Sequence, residues 1–489
     1  MTAMRNYIII ILLSTLCTAC TERVDVSATT DTLPPVTPDY ESVTVPVNIA
    51  PLNIMAINKA EKIDVTVCSS DGNEVLHSQS VQATSFSIAE WHCLLAENIG
   101  KSIIYKVAIK ENGRWTQYKP FEIFVSPDSI DYGLVYRLIA PSYETFSSMG
   151  IYERNLSNFD QRAIVENNLL QNNCVNCHSF CQWKTDKMSL HVRGTHGCTM
   201  ILTDNRLQVY NTRTDSTRGN CVYPSWHPNG RHIAYSVNET RQIFHSANPK
   251  RIEVIDRWSD VVVLDTKTNT LSSSPNLMSK DNFETFPYFS PDGKWLYFCS
   301  ARAVDMDTAP QSVRYNLCRI AFDSESGTFG HQPDTLVNAS SIGKSVSFPR
   351  PSPDGSFVAY TLSDYGQFSI WHPESDVWLL NLSDGTTHRI DNLNSGDVDS
   401  YHSWSSSGRW MVVSSRRENG LFTQPFIAHI DTCGNATKAF RLPLRSPADF
   451  DEMFYSFNVP EFITEPIRLN VRDLEKKVEK HDLQKITFK

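Results

Sequence analysis

The sequence predicts an all-β protein, an N-terminal immunoglobulin-like β-sandwich followed by a β-propeller of five to six blades, and three observations lead there. A turn-and-strand unit recurs four times beyond residue 200. Apolar residues alternate with polar ones between Val43 and Val125. A Cys-x-x-Cys-His segment stands between these two regions.

The repeat starts at Tyr223-Pro224-Ser225-Trp226, Phe286-Pro287-Tyr288-Phe289, Phe348-Pro349-Arg350-Pro351 and Tyr401-His402-Ser403-Trp404, with intervals of 63, 62 and 53 residues. Each start leads to Asn229-Gly230, Asp292-Gly293, Asp354-Gly355 or Ser407-Gly408, and then to an alternating strand such as Ile233–Ser236. Asn-Gly and Asp-Gly supply the positive φ of a tight turn between antiparallel strands. A second hairpin, as at Asp260–Asp265 or Asp376–Leu380, completes the four strands of a blade. A further hairpin at Met200–Tyr210 reads as half a blade, which makes five, and a contribution from the tail would make six. The propeller is bounded at residues 200–460, with a C-terminal tail at 461–489.

Residues 41–126 form the expected sandwich. Ile63, Val65 and Val67 alternate ahead of Asp71-Gly72, and Tyr105, Val107 and Ile109 do so ahead of Asn112-Gly113. That is the period of half-buried strands joined by hairpins. Its expected role is that of a spacer or docking module. Residues 127–173 show no sustained period, and 127–199 read as a connector that carries the Cys-x-x-Cys-His segment, with a short helix near Arg162–Leu170.

The N-terminus indicates export. Arg5 precedes an apolar stretch, Tyr7–Leu16, which is too short to span a bilayer. Residues 1–19 are the expected signal peptide. Leu16-Cys17-Thr18-Ala19-Cys20 resembles the lipobox of bacterial lipoproteins, which implies cleavage before Cys20 and lipidation of its thiol. Thr21 in place of Asp favours the outer membrane, on either its periplasmic or its surface face. Residues 20–40, rich in Thr, Asp and Pro, read as a flexible tether with a reach of roughly 60 Å at ~3.3 Å per residue.

A formal charge of −9 over 489 residues, with no basic stripe, disfavours nucleic acid. No GxSxG elbow and no metal-ligand spacing supports a hydrolase. The sequence leans away from an enzyme, with a polysaccharide-acting propeller as the weaker alternative.

Cys174-Val175-Asn176-Cys177-His178 is the c-type haem attachment signature, with two thiols for thioethers and His178 as axial iron ligand. His196 is the expected second axial ligand, with His191 and Met188 as alternatives. A redox dithiol or half a zinc site are the other uses of such spacing. The remaining cysteines leave disulfides such as Cys68–Cys93, Cys299–Cys318 or Cys181–Cys198 open. At the channel mouth, His227, Glu284, Arg350, Tyr401 and His402 are candidate ligand-binding residues.

The order of these parts is similar to that of a family of Bacteroidetes lipoproteins with a β-sandwich, an Asn-Cys-x-x-Cys-His segment and a TolB-like, WD-like propeller. Asn173–Phe180 and the four blade starts carry the resemblance. It implies covalent haem c in an envelope protein that serves electron transfer or redox sensing, docked to a redox or envelope protein partner. The alternative is a haem-free scaffold for a protein or glycan.

Overall fold

The computed structural model of the chain describes residues 24–57, 60–140, 148–204, 206–480 and 483–489. The expected signal peptide, lipobox and Cys20 lie outside these residues. No helix among the described residues is long and apolar enough to cross a membrane.

Six blades of four or five strands surround a central channel. The inner strands of blades two to six are Cys174–Cys181, Cys221–Trp226, Asn282–Phe289, Ser345–Pro351 and Asp399–Trp404. Blade one joins the two ends of the propeller. Its inner strand, Ser456–Ile463, comes from the far end of the chain and pairs antiparallel with Gly133–Ile139, so that Gly133 faces Ile463. Met149–Asn155 and Gln161–Glu166 complete that blade.

The expected connector is therefore blade structure. Its first part forms the three outer strands of blade one, and its second part forms the two inner strands of blade two. The helix expected near Arg162–Leu170 is a strand to Glu166 and then a single 3₁₀ turn, Asn167–Leu170. Outer strands Cys198–Thr203 and Arg206–Asn211 finish blade two.

One backbone device repeats in all six inner strands. Val459, Cys177, Tyr223, Phe286, Phe348 and Tyr401 all have φ between 48° and 54°. Pairing with the neighbouring strand slips at each of these points. Such bulges turn a side chain off the regular alternation of a strand. Asn176-Cys177-His178-Ser179-Phe180 and Asn458-Val459-Pro460-Glu461-Phe462 are thus two further copies of the unit that begins Tyr223-Pro224. His178 holds the place of Pro224 and of His402.

Residues 24–126 build a forked seven-stranded sheet and a separate two-stranded one, Val36–Thr37 with Met55–Ala56. Ser102–Glu111 pairs with Lys62–Cys68 along one edge, while Arg114–Gln117 and Phe121–Ser126 share the other. Helix Ile88–Glu97 buries Trp91, Leu94 and Leu95 in the same core. That core runs on into blades one and six through Tyr136, Phe457, Trp410 and Phe440. Polar contacts reinforce the junction. Trp410 Nε1 donates to the Asp128 carbonyl at 3.2 Å, and His429 Nε2 lies 2.7 Å from Asp128 Oδ2. None of the ten cysteines among the described residues is in a disulfide.

Candidate functional site

Four aromatic rings at the bulge positions meet in sequence around the channel. Tyr223, Phe286, Phe348 and Tyr401 have successive ring centroids 4.7, 4.5 and 4.7 Å apart. Cys177 and Val459 hold the two remaining positions of this collar. Beyond the collar, on the side of the turns that follow the inner strands, a mixed recess is lined by Phe180, Trp183, Trp226 and Trp404 together with Arg350 and Glu461. On the other side lies a chamber, partly open to solvent, with a cavity volume of about 160 Å³.

This second chamber has a roof. Strands His232–Phe244 and Ile252–Asp265 of blade three run well past their neighbours and carry Thr240, Gln242 and Val254 over the channel. The hairpin is fastened to blade five, two blades further round the ring. Gln367 Nε2 donates to the Val254 carbonyl at 3.1 Å, Lys250 Nζ reaches Glu374 Oε1 at 2.7 Å, and the Tyr365 hydroxyl donates to Glu253.

Cys174, Asn176, Cys177 and His178 all line this chamber. On a regular strand, residues three apart point to opposite faces. The left-handed residue at Cys177 breaks that alternation, so both thiols open on one space. Asn176 Nδ2 donates to Cys174 Sγ at 3.3 Å, and burial pushes the Cys177 thiol pKa up.

The fit to haem is incomplete. His178 is buried, with Nε2 at 3.3 Å from the Val135 carbonyl of blade one, and burial takes its pKa down to about 3. The expected sixth ligands lie elsewhere. Met188 is fully buried in the core between blades one and two. His191 is buried in the second strand of its blade, beside Thr199 Oγ1 at 3.4 Å. His196 sits in the following turn, where its backbone N–H donates to Asn173 Oδ1. None of the three lines the chamber, and no cluster of three or more metal-ligating side chains occurs among the described residues. Cys174, Cys177 and His178 thus share the chamber wall, whereas the three expected sixth ligands stand away from it.

The expected channel-mouth residues separate. Arg350 and Tyr401 line the chamber; His227, Glu284 and His402 do not. Arg350 Nη2 is 3.5 Å from Glu461 Oε1, and its guanidinium lies over the Tyr288 ring. Burial raises the Glu461 carboxyl to about 7. His227 packs between blades three and four, with Nε2 3.0 Å from the Gly293 carbonyl. Glu284 is buried in an inner strand and accepts from Ser279 Oγ at 3.0 Å. His402 is buried beside the collar.

Two chamber residues escaped the sequence reading, Arg137 and Arg193. The available signal was an arginine inside the apolar run Leu134-Val135-Tyr136-Arg137-Leu138-Ile139. Cations within strands that bury both faces are costly unless something answers their charge.

No protein-family model and no curated protein matches this chain. Among solved structures it is similar to a prolyl endopeptidase (11% identity, TM-score 0.34, 63% of this chain and 42% of that one). It is also similar to a DUF4784 family protein from Bacteroides caccae (8%, 0.28, 74% and 96%) and to a GH43 endo-arabinanase from Bacillus licheniformis (10%, 0.25, 68% and 95%). The chain spans about two fifths of the length of the prolyl endopeptidase. Likeness at this level transfers no activity.

Proposed function

We propose that this protein is an envelope lipoprotein whose propeller binds a small molecule in the roofed chamber of its channel. The observation that carries the reading is the roof itself. A hairpin that outgrows its blade and is fastened to the blade after next covers a space already floored by the collar. Enclosure of this kind, with a few polar groups set among apolar walls, is the usual form of a small-molecule site. The signal peptide and lipobox at residues 1–20 support lipid anchoring at Cys20, and Cys20→Ser would then move the protein from the membrane to the soluble fraction.

The test is native mass spectrometry of the lipid-free mature chain after exposure to a small-molecule extract of the cell envelope. A companion variant has residues 242–254 replaced by Asn-Gly, which joins the paired residues Arg241 and Ile255 by a two-residue hairpin loop. The full chain is expected to retain a small molecule that the shortened hairpin releases. Failure to retain any, or equal retention by both, overturns the reading.

A covalent haem on Cys174 and Cys177, serving electron transfer or redox sensing, is the competing reading. It is favoured by the opening of both thiols on one chamber. A pyridine haemochrome spectrum from protein matured with the cytochrome c assembly machinery, absent from the Cys174→Ser, Cys177→Ser double variant, would replace the small-molecule reading.

A further inference from the structure

The chamber carries more positive charge than its surroundings answer. Arg137, Arg193 and Arg350 line it, and Glu461 is the acidic residue among its walls. Arg350 faces Glu461. The guanidinium groups of Arg137 and Arg193 have no hydrogen bond or ion pair among the described residues, and Arg137 Nε is out of contact with solvent and unpartnered. Asp256 is the carboxylate whose charge reaches Arg193. It is engaged by Asn238 and by Thr240 Oγ1 at 2.8 Å, and burial raises its pKa to about 6. Half-buried guanidinium groups that no carboxylate pairs with are left to be answered by a ligand's negative charge. Their planar forks match the two oxygens of a carboxylate or phosphate.

We propose that Arg137 and Arg193 form the oxyanion site of the chamber, and that its ligand is a small organic anion. One carboxylate or phosphate group meets the two arginines, and a flat or ring-shaped body packs on the collar of Tyr223, Phe286, Phe348 and Tyr401. The proposal rests on the chamber reading above and adds the chemical class. The arginines come from blade one (Arg137) and blade two (Arg193), beside Cys177, and the rings come from blades three to six. A ligand with both parts therefore spans the channel. The Cys177 thiol, half-buried on the same wall, serves as a built-in reporter of occupancy.

The experiment uses the lipid-free mature chain and four probes: benzoate, phenyl phosphate, neutral benzamide and inorganic phosphate. Affinity is read by calorimetry, and occupancy by the rate at which iodoacetamide alkylates Cys177. Benzoate or phenyl phosphate is expected to bind and slow alkylation, and benzamide is not. Loss of the charge-assisted contacts in the Arg137→Gln, Arg193→Gln double variant should weaken binding about tenfold or more. Arg193→Lys should retain part of the affinity. Circular dichroism and the ligand-free Tm of each variant check that the fold persists. Benzamide binding as tightly as benzoate, an unaltered affinity in the double variant, or no binding of either organic anion overturns the oxyanion site. Inorganic phosphate binding as well as phenyl phosphate overturns the role of the collar. A neutral molecule retained under the hairpin would leave the chamber reading standing while this one fails.

Discussion

His402 illustrates how one residue's environment sets a measurable property. It is buried beside the collar, and burial lowers its pKa from the usual 6.5 to about 3. Above pH 6.5 the ring is neutral in both folded and unfolded chains and adds nothing to the pH dependence of stability. As the pH falls from 6.5 toward 3, the unfolded ring takes up a proton that the folded ring refuses, so stability is lost. Glu461 acts in the opposite sense. Its folded pKa is raised to about 7, so its contribution is present below the ordinary carboxyl range and is lost as pH rises through 7. The His402→Gln variant should lose stability less steeply than the parent between pH 4 and 6, by about 1 kcal/mol per pH unit. Urea unfolding at several pH values measures the slope; parallel slopes would mean that His402 is protonated in the folded protein. At the same scale, Cys177 and His178 were legible as a motif, but their meaning was not. Their neighbours in space are the equivalent residues of five other blades, which no local pattern of five residues records.

The turn after each inner strand is the element that made four blades readable. Gly230, Gly293, Gly355 and Gly408 all have φ between 67° and 73°, a region that a side chain enters at a cost of about 1–2 kcal/mol. Their surroundings differ. A Cβ on Gly355 would meet nothing within 4 Å, whereas one on Gly293 would stand 2.3 Å from His227 Nε2. Gly355→Ala should therefore cost about 1 kcal/mol, and Gly293→Ala at least twice as much, because His227 must also leave its contact with the Gly293 carbonyl. Equal losses in chemical denaturation would show that the imidazole moves aside freely. Blade two lacked this signal for a physical reason. Its turn is Gln182-Trp183, two residues that adopt positive φ without glycine, so the pattern that identified its neighbours is absent. Blade one lacked it because its inner strand lies more than 300 residues from its partner, where periodicity in a window says nothing about pairing.

At the scale of the whole molecule, the ring and the N-terminal unit share one core. The strand Ser456–Ile463 closes the circle on Gly133–Ile139, and the residues before Gly133 cover that seam. Trp410 is fully buried where blade six meets the N-terminal unit, and its indole N–H is bonded to the Asp128 carbonyl. Tyr40 and Lys438 tie the same two parts together, through Tyr40 Oη to the Arg441 carbonyl and Lys438 Nζ to Asp39 Oδ2. A unit read from sequence as a spacer is thus part of the closure. A hydrophobic core that continues across a boundary couples the stability of both sides. The N-terminal unit and the propeller should therefore unfold in one transition, seen at the same denaturant concentration by tryptophan fluorescence and by hydrogen exchange in residues 24–126. Trp410→Ala removes a large buried side chain, which typically costs 3–5 kcal/mol, and it should move both signals together. Two separate transitions, or a Trp410→Ala variant in which only the propeller signal shifts, would show that the shared core does not bind the parts into one cooperative unit.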